Sequence, residues 1–367
     1  MPLTTKRSAA ILVMFALLSL MLWGCKKDEE PTTPPNTNAD IPADPGGSAP
    51  ATTINNVVPA ASFSKTSGNE SRIRVNLLGL IDPITGQPIS LTANQNVFIT
   101  EDNVLKGIKI SSAGGSTTLT ADVAFTVDNS GSMGEEADSV ATKIIEFVNF
   151  LQASGLDVRV GVVGYNGRAT GALNLGTGSA LSAFLTRVGR SGTSRTTGFS
   201  GADSARFQTA AATFATGVSG ENGIVGVWFA DSLFSWRAGA QRVYVNFTDE
   251  PTQPNNIVYW STEGLCARWT PVKGTIHTVY SADTTRTWTR LQNERPWDMS
   301  ACTGGTRIFI PATAAGLNLR TLPVTGALAN SRLVEFLSAN PNGTHTLVIT
   351  VKTLTADGKT TFNGITY

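Results

Sequence analysis

One loop of the sequence carries a carboxylate and two hydroxyls at alternate positions, directly after an apolar run. The run covers residues 123–127, and the loop that follows supplies Asp128, Ser130 and Ser132. All three side chains offer hard oxygen atoms, which Mg²⁺ and similar small cations choose as ligands while keeping several waters. The spacing therefore indicates a divalent-cation site. The alternative is that Ser130 and Ser132 only cap the helix that follows.

The segments around this loop alternate between strand-like and helix-like patterns. Apolar residues recur at helical spacing over 135–153, and continuous apolar runs over 157–165 and 241–248 are typical of buried strands. Shorter elements are predicted as strands at 172–176, 275–281 and 306–311, and as helices at 179–188, 205–216 and 288–299. This alternation predicts a doubly wound α/β sheet.

A second acidic residue, Asp249, follows the strand predicted at 241–248. In doubly wound sheets, ligands bind beyond the carboxyl ends of the strands. Asp128 and Asp249 both stand at such ends, so one fold can bring them together.

The loop from Asp128 to Ser132 resembles the metal-ion-dependent adhesion motif of von Willebrand factor A (vWA) domains. Asp249, in Phe-Thr-Asp-Glu, is similar to the second acidic corner of that motif, and residues 236–240 resemble vWA chains of the integrin-β and bacterial kind. The resemblance covers about residues 119–317 and implies a Rossmann-like vWA domain. It also implies Mg²⁺, or else Mn²⁺ or Ca²⁺, held directly by the hydroxyls of Ser130 and Ser132 and largely through water by the two acids.

The family usually adds a threonine, or in some branches a glutamate, from the loop before its third helix. Residues 201–206 resemble that loop, but Arg206 stands where an acidic ligand is expected. Asp203 is the predicted further ligand, with Thr193 as a second candidate. The alternative for each is a solvated loop that supplies no ligand.

A site of this family leaves the cation with an open position, which a carboxylate of a partner protein completes. The implied function is metal-dependent protein binding or adhesion without catalysis. A structural or assembly subunit of a cell-envelope complex is the alternative that stays open. A hydrolase acting through Ser130 or Ser132 is disfavoured, because there is no Gly-x-Ser-x-Gly elbow and the chain has two histidines.

The N-terminus predicts export and lipid attachment. Lys6 and Arg7 precede a twelve-residue apolar run over 11–22, which is too short to span a bilayer as a mature helix, and residues 1–24 are predicted to be a signal peptide. Leu-Trp-Gly before Cys25 resembles the lipobox of bacterial lipoproteins, which implies a lipid on Cys25. The alternative is an ordinary anchor or signal with a chance cysteine.

The residues after Cys25 bear on where the protein is displayed. The charged run 26–30 resembles the export tag of Bacteroidetes-type lipoproteins, which implies an outer-membrane protein exposed at the cell surface; it can equally be a solvated run. Residues 25–60 are rich in Pro, Thr, Asn and Ala and predict a disordered tether. The net charge of +1 argues against a nucleic-acid partner.

The remaining cysteines and the flanks of the vWA region complete the prediction. Cys266 and Cys302 form an even pair in an exported chain, which predicts a disulfide; two buried thiols are the alternative.

Residues 61–118 and 318–367 have the patterns of strands and turns. Each flank alone is too small for a stable core, so together they predict one β-sandwich around an inserted vWA domain. Two separate β units are the competing arrangement.

Overall fold

The computed structural model describes residues 38–112, 120–134, 136–153, 156–187, 199–215, 218, 220–319 and 330–367. Cys25 and Thr193 lie outside these residues. Within them, no helix combines the length and the apolar character that crossing a bilayer requires. Residues Asp40–Tyr367 belong to one compact unit.

The strands are β1 (Ala61–Thr66), β2 (Asn69–Leu77), β3 (Val97–Glu101), β4 (Val104–Leu105), β5 (Lys109–Ser112), β6 (Thr120–Asp128), β7 (Asp157–Tyr165), β8 (Ala169–Gly176), β9 (Gly201–Ala202), β10 (Gln241–Thr248), β11 (Thr275–Tyr280), β12 (Arg307–Phe309), β13 (Arg332–Leu337), β14 (His345–Lys352) and β15 (Asp357–Ile365). The α-helices are α1 (Ala137–Ala153), α2 (Gly178–Leu185), α3 (Ala205–Thr213), α4 (Gly223–Leu233), α5 (Thr262–Arg268) and α6 (Asp298–Thr303).

Seven strands form the central sheet, in the order β12-β11-β10-β6-β7-β8-β9. Neighbouring strands are parallel except for β7 and β8, which are antiparallel. Helices α1 and α2 pack on one face of the sheet, and α3, α4, α5 and α6 pack on the other. The predicted doubly wound α/β fold is confirmed.

Helix α4 has no counterpart in the sequence prediction, which left the stretch before β10 without an element. Its first eight residues, 223–230, are all buried beneath the sheet. A helix that is apolar on every side lacks the 3.6-residue period by which surface helices are recognised. The Asn222 side chain caps it by accepting the backbone N–H of Ile224 at 3.0 Å.

The two flanks of the vWA region combine into one sandwich of two four-stranded sheets. One sheet has the order β1-β2-β13-β5 and the other β15-β14-β3-β4. Strand β13 therefore pairs with β2 and β5, and β14 pairs with β3, across the whole intervening domain. Apolar residues from both sheets share one core, including Val75, Ile99, Phe336 and Ile349. The prediction of a single sandwich is confirmed.

The polar segment at 40–58, here called the strap, lies against the sandwich. Asp40 accepts hydrogen bonds from Arg72 at 2.7 Å and from Lys109 at 2.6 Å. Ile41 beside it is only 6% exposed.

Further along the strap, the Asp357 carboxylate accepts the backbone N–H groups of Thr53, Ile54 and Asn55 at 2.6–2.8 Å. The structure thus holds residues 40–58, the later part of the tether predicted at 25–60, against the sandwich. Composition indicates that such a segment lacks apolar residues for a core of its own, but it cannot show that distant charged groups hold the segment in place.

The predicted disulfide between Cys266 and Cys302 is present, with 5.7 Å between the two α-carbons. It joins α5 to α6 on the same face of the central sheet.

A buried histidine in the sandwich gives stability a pH dependence. The Nδ1 of His345 lies 2.7 Å from the Asp102 carboxylate, and its Nε2 lies 2.8 Å from the carbonyl oxygen of Asn340. Both neighbours are acceptors only, so both ring nitrogens must donate and the ring is an imidazolium. Burial lowers the pKa of His345. These hydrogen bonds and the charge of Glu101, 3.7 Å away, raise the pKa by more than burial lowers it, so the net pKa lies above 6.5.

Because the folded pKa of His345 is raised, its contribution to stability is complete below the unfolded pKa of about 6.5 and is lost as pH rises through the folded pKa. We expect the free energy of unfolding, measured in urea, to fall as pH is raised from 6 to 9. His345→Gln should cost about 1–3 kcal/mol at pH 6 and make this slope shallower. An unchanged slope in His345→Gln would contradict the assignment.

Candidate metal centre

The centre is built on the loop that leaves the carboxyl end of β6. The Asp128 carboxylate accepts the backbone N–H of Ser130 at 2.9 Å, which folds the loop back over the end of the strand. The hydroxyls of Ser130 and Ser132 then lie 2.9 Å apart. A short 3₁₀ turn at Ser132–Gly134 leads toward α1. Asp128 and Ser130 are buried and Ser132 is exposed, so the centre opens to solvent on the Ser132 side.

Strand β10 brings the second acid to the same place. It lies beside β6 in parallel register, with Phe247 opposite Val127, so that both strands end at the same edge of the sheet. The hydroxyl of Ser132 donates to the Asp249 carboxylate at 3.1 Å. The structure thus places Asp128, Ser130, Ser132 and Asp249 in one hydrogen-bonded group, and their role as metal ligands remains a prediction.

Thr248 is a site residue that the sequence analysis missed. Its hydroxyl donates to the Asp128 carboxylate at 2.7 Å and so holds the oxygen that Ser130 does not bind. A threonine directly before Asp249 at a strand end gives no separate sequence signal, because it also fits any buried strand.

The two carboxyl groups of the centre are costly to ionise where they stand. Burial raises the pKa of Asp128 to about 7, against the lowering effect of Thr248 and Ser130. Burial also raises the pKa of Asp249, with further contributions from the charges of Glu250 and Glu221. Among the described side chains, no Lys, Arg or His forms an ion pair with either acid. A bound cation would supply the missing positive charge.

The side chains present fit a hard divalent cation. Carboxylate and hydroxyl oxygens are the donors that Mg²⁺, Mn²⁺ and Ca²⁺ accept, and the group contains no sulfur or imidazole. Four donors are fewer than the six oxygens that Mg²⁺ takes in octahedral geometry, so a bound cation would keep positions for water or for an external oxygen. A carboxylate from outside the protein could occupy such a position.

Asp203 lies away from this group. Because β8 runs antiparallel to β7 and β9 follows the direction of β8, the end of β9 points to the opposite edge of the sheet. The Asp203 carboxylate accepts the backbone N–H of Asn174, at least three residues or about 10 Å down the strands from the level of Asp128. The structure therefore does not bring Asp203 together with the other predicted ligands.

The additional acid near the centre is Glu221, which the sequence analysis did not select. It stands directly before the cap of α4, and its charge acts on Asp249. The backbone N–H of Gln253 donates to the Glu221 carbonyl at 3.0 Å and ties this loop to the one after β10. Glu221 could have been found in the sequence as an acid that directly precedes a helix cap. That pattern was not recognised because helix α4 itself was not predicted.

Neither histidine of the chain is placed to activate a serine of the centre. His277 accepts the backbone N–H of Thr306 at 3.0 Å within the central sheet, and burial lowers its pKa to about 3. His345 belongs to the sandwich. The arrangement therefore contains no Ser-His pair for nucleophilic catalysis.

Residues 122–224 match the family model of the von Willebrand factor type A domain. The chain therefore contains a vWA domain, and the matched stretch includes Asp128, Ser130 and Ser132 but ends before Asp249. No curated protein matches the sequence.

Among solved structures, the fold is similar to that of proximal thread matrix protein 1 from the mussel byssus, at 12% identity and a TM-score of 0.37, over 61% of this chain and 49% of that chain. A structure of the same byssus protein with a zinc-occupied MIDAS motif matches at 13% identity and a TM-score of 0.37 over the same shares of the two chains. The pilus adhesin SpaC of Lactobacillus rhamnosus GG, in its open conformation, matches at 12% identity and a TM-score of 0.37, over 83% of this chain and 46% of that one. The matched region is thus about half the length of each of these proteins.

Proposed function

We propose that the protein is a surface-anchored lipoprotein that binds another protein in a divalent-metal-dependent manner. The observation that carries the proposal is the convergence of Asp128, Ser130, Ser132 and Asp249 at the carboxyl edge of a vWA sheet. Ser130 and Ser132 would bind the cation directly, and the acids would act largely through water. A carboxylate of the partner would complete the shell, without turnover.

Glu221 is the candidate for a further charge in this shell, because its charge acts on Asp249 from the loop before α4, whereas Glu250, which acts more strongly on Asp249, is paired with Arg286. Mg²⁺ is the expected ion, with Mn²⁺ or Ca²⁺ as the alternatives. All three are oxygen-seeking cations, and their preference depends on how rigid the ligand set is.

The position of the sandwich supports display of the metal face toward a partner. Ser62 of β1 donates to the Gly239 carbonyl at 2.7 Å, just before β10 begins. The sandwich therefore meets the vWA domain at the edge of the sheet opposite to Asp249. This arrangement leaves the carboxyl edge of the sheet, with its loops, for the partner.

Protein binding is tested by capturing partners from intact cells with the purified protein. We expect a partner that is retained in Mg²⁺, is released by EDTA, returns when Mg²⁺ is added back, and is not retained by Asp249→Ala. The physical reason is that the partner carboxylate binds the cation rather than the protein surface. Metal-independent retention, or hydrolysis of a substrate that depends on Ser130 or Ser132, would contradict the proposal.

Anchoring is tested separately through Cys25. If Cys25 carries the lipid, about 14 residues separate it from Asp40, where the strap begins, so the anchor would reach at most about 50 Å when extended. We expect Cys25→Ser to accumulate as an uncleaved precursor or to leave the membrane fraction. A variant that matures and partitions with membranes like the wild type would show that another feature anchors the protein.

A further inference from the structure

A cleft lies beside the metal centre, on the side of the sheet where β7 turns into β8. Arg168 and Thr170 form one wall, and Phe214 and Val218, from the end of α3 and the loop after it, form the other. The cleft therefore has apolar side chains and an exposed arginine among its lining residues. None of the candidate metal ligands lines it.

The cleft adjoins the metal centre through the backbone. Tyr165, the last residue of β7, lies opposite Asp128 in the parallel register, and the turn that carries Arg168 follows directly. A β-carbon placed on Gly167 would lie 3.3 Å from the carbonyl oxygen of Gly220, which is the residue before Glu221. The turn thus approaches the loop that carries Glu221, whose charge acts on Asp249.

Arg168 differs from the arginine on the opposite side of the centre. Arg286 is paired with Glu250 at 2.9 Å, so its charge is already balanced by the protein. Arg168 is exposed, and among the described residues no carboxylate forms an ion pair with it. With a cation offsetting Asp249 and Glu221, the charge that the described residues present to an incoming ligand from this side is that of Arg168.

We propose that Arg168 is a second anchor for the ligand, binding a carboxylate that stands two residues from the one on the metal. The inference rests on the proposed function and names its partner as a segment with two closely spaced acids. Strands β6 and β8 are two spacings apart, roughly 10 Å. Side chains at i and i+2 of an extended segment lie on one face about 7 Å apart, and the arginine side chain spans the remainder. Phe214 and Val218 would contact the apolar part of the same residue.

The test uses two synthetic peptides blocked at both ends, Ser-Asp-Ser-Asp-Ser and Ser-Asp-Ser-Asn-Ser, titrated into the full chain in Mg²⁺ and in EDTA. We expect the two-acid peptide to bind about sixfold more tightly in Mg²⁺, because one of its two ways of placing an acid on the metal gains about fivefold from a partly exposed ion pair and the other gains nothing. Arg168→Gln should reduce the preference to about twofold, the statistical factor alone, and leave Mg²⁺ affinity unchanged. Arg159→Gln, which replaces an exposed arginine near the other end of β7, should keep the preference of about sixfold.

The outcomes separate this inference from the function on which it rests. Mg²⁺-dependent binding of both peptides with no more than a twofold preference in the wild type would overturn the role of Arg168 alone. A preference of about sixfold that survives in Arg168→Gln would do the same. Absence of Mg²⁺-dependent binding of either peptide would overturn the proposed function and this inference with it.

Discussion

Replacing Asp128 by asparagine is expected to abolish Mg²⁺ binding while the fold is retained. Asparagine keeps the shape of the side chain, and its carbonyl oxygen can still accept the N–H of Ser130, but the charge beside the cation is lost. Replacing a group that orients a metal through water or through its ligands typically lowers the metal affinity 10–100-fold. We therefore expect at least about 100-fold weaker binding by calorimetry, because Asp128 combines charge with the positioning of Ser130.

The same variant has an expected effect on the metal-free protein. Burial raises the folded pKa of Asp128 to about 7, so its ionisation lowers the stability of the metal-free protein as pH rises from about 4 to 7. Asparagine carries no such penalty. At pH 8 in EDTA, Asp128→Asn should be at least as stable as the wild type in urea unfolding, whereas in Mg²⁺ the wild type should be the more stable.

Asp203→Asn is the matched control, since it removes the same charge at a position about 10 Å down the strands from the level of the centre. It should bind Mg²⁺ like the wild type. Loss of Mg²⁺ binding in Asp203→Asn, or normal binding in Asp128→Asn, would show that the centre is misassigned.

Replacing Arg237 by alanine is expected to cost about 3–5 kcal/mol of the free energy of unfolding. The Arg237 guanidinium bonds the fully buried Asp122 at 2.7 Å, and its backbone N–H donates to the other oxygen of the same carboxylate at 2.7 Å. It also donates to the Ala121 carbonyl at 2.9 Å, and so ties the start of β6 to the segment before β10. Alanine would leave Asp122 charged and buried without its counter-ion.

Asp157 supplies the control for this prediction. It pairs with the same guanidinium at 2.6 Å, but its side chain is 53% exposed. Asp157→Asn should therefore change stability by no more than about 1 kcal/mol, measured in the same urea titration. Because Arg237 lies at the edge of the sheet opposite to Asp249, the folded fraction of Arg237→Ala should keep its Mg²⁺ affinity. Equal losses in the two variants would contradict the buried-pair argument.

Several features follow from the sequence because they depend on local pattern. The apolar runs that become β6 and β10 each end in an acid, and parallel strands bring their carboxyl ends to one edge, so Asp128 and Asp249 could be paired without coordinates. The helical spacing of apolar residues likewise predicted α1, and the even number of cysteines predicted the pairing of Cys266 with Cys302. The disulfide and the doubly wound fold are both present.

Other features depend on where the chain goes after a turn, and the sequence does not carry that information locally. Asp203 was selected because its loop resembles that of the family, but the antiparallel direction of β8 carries it about 10 Å down the strands from the level of Asp128. The charge of Glu221 acts on Asp249 because α4 begins at the near edge, and a helix whose first eight residues are all buried has no period to reveal it.

The strap and the sandwich show the same division at larger scale. Alternating apolar residues predicted the strands in both flanks, but their joining depends on β13 pairing with β2 across the inserted domain. The composition of the strap predicts a tether. The hydrogen bonds that Arg72, Lys109 and the Asp357 carboxylate make with the strap depend on the fold. Sequence alone determined which segments become strands and which side chains can do chemistry. Tertiary structure decided which of them meet, because strand direction and long-range pairing are set by the packing of the whole core.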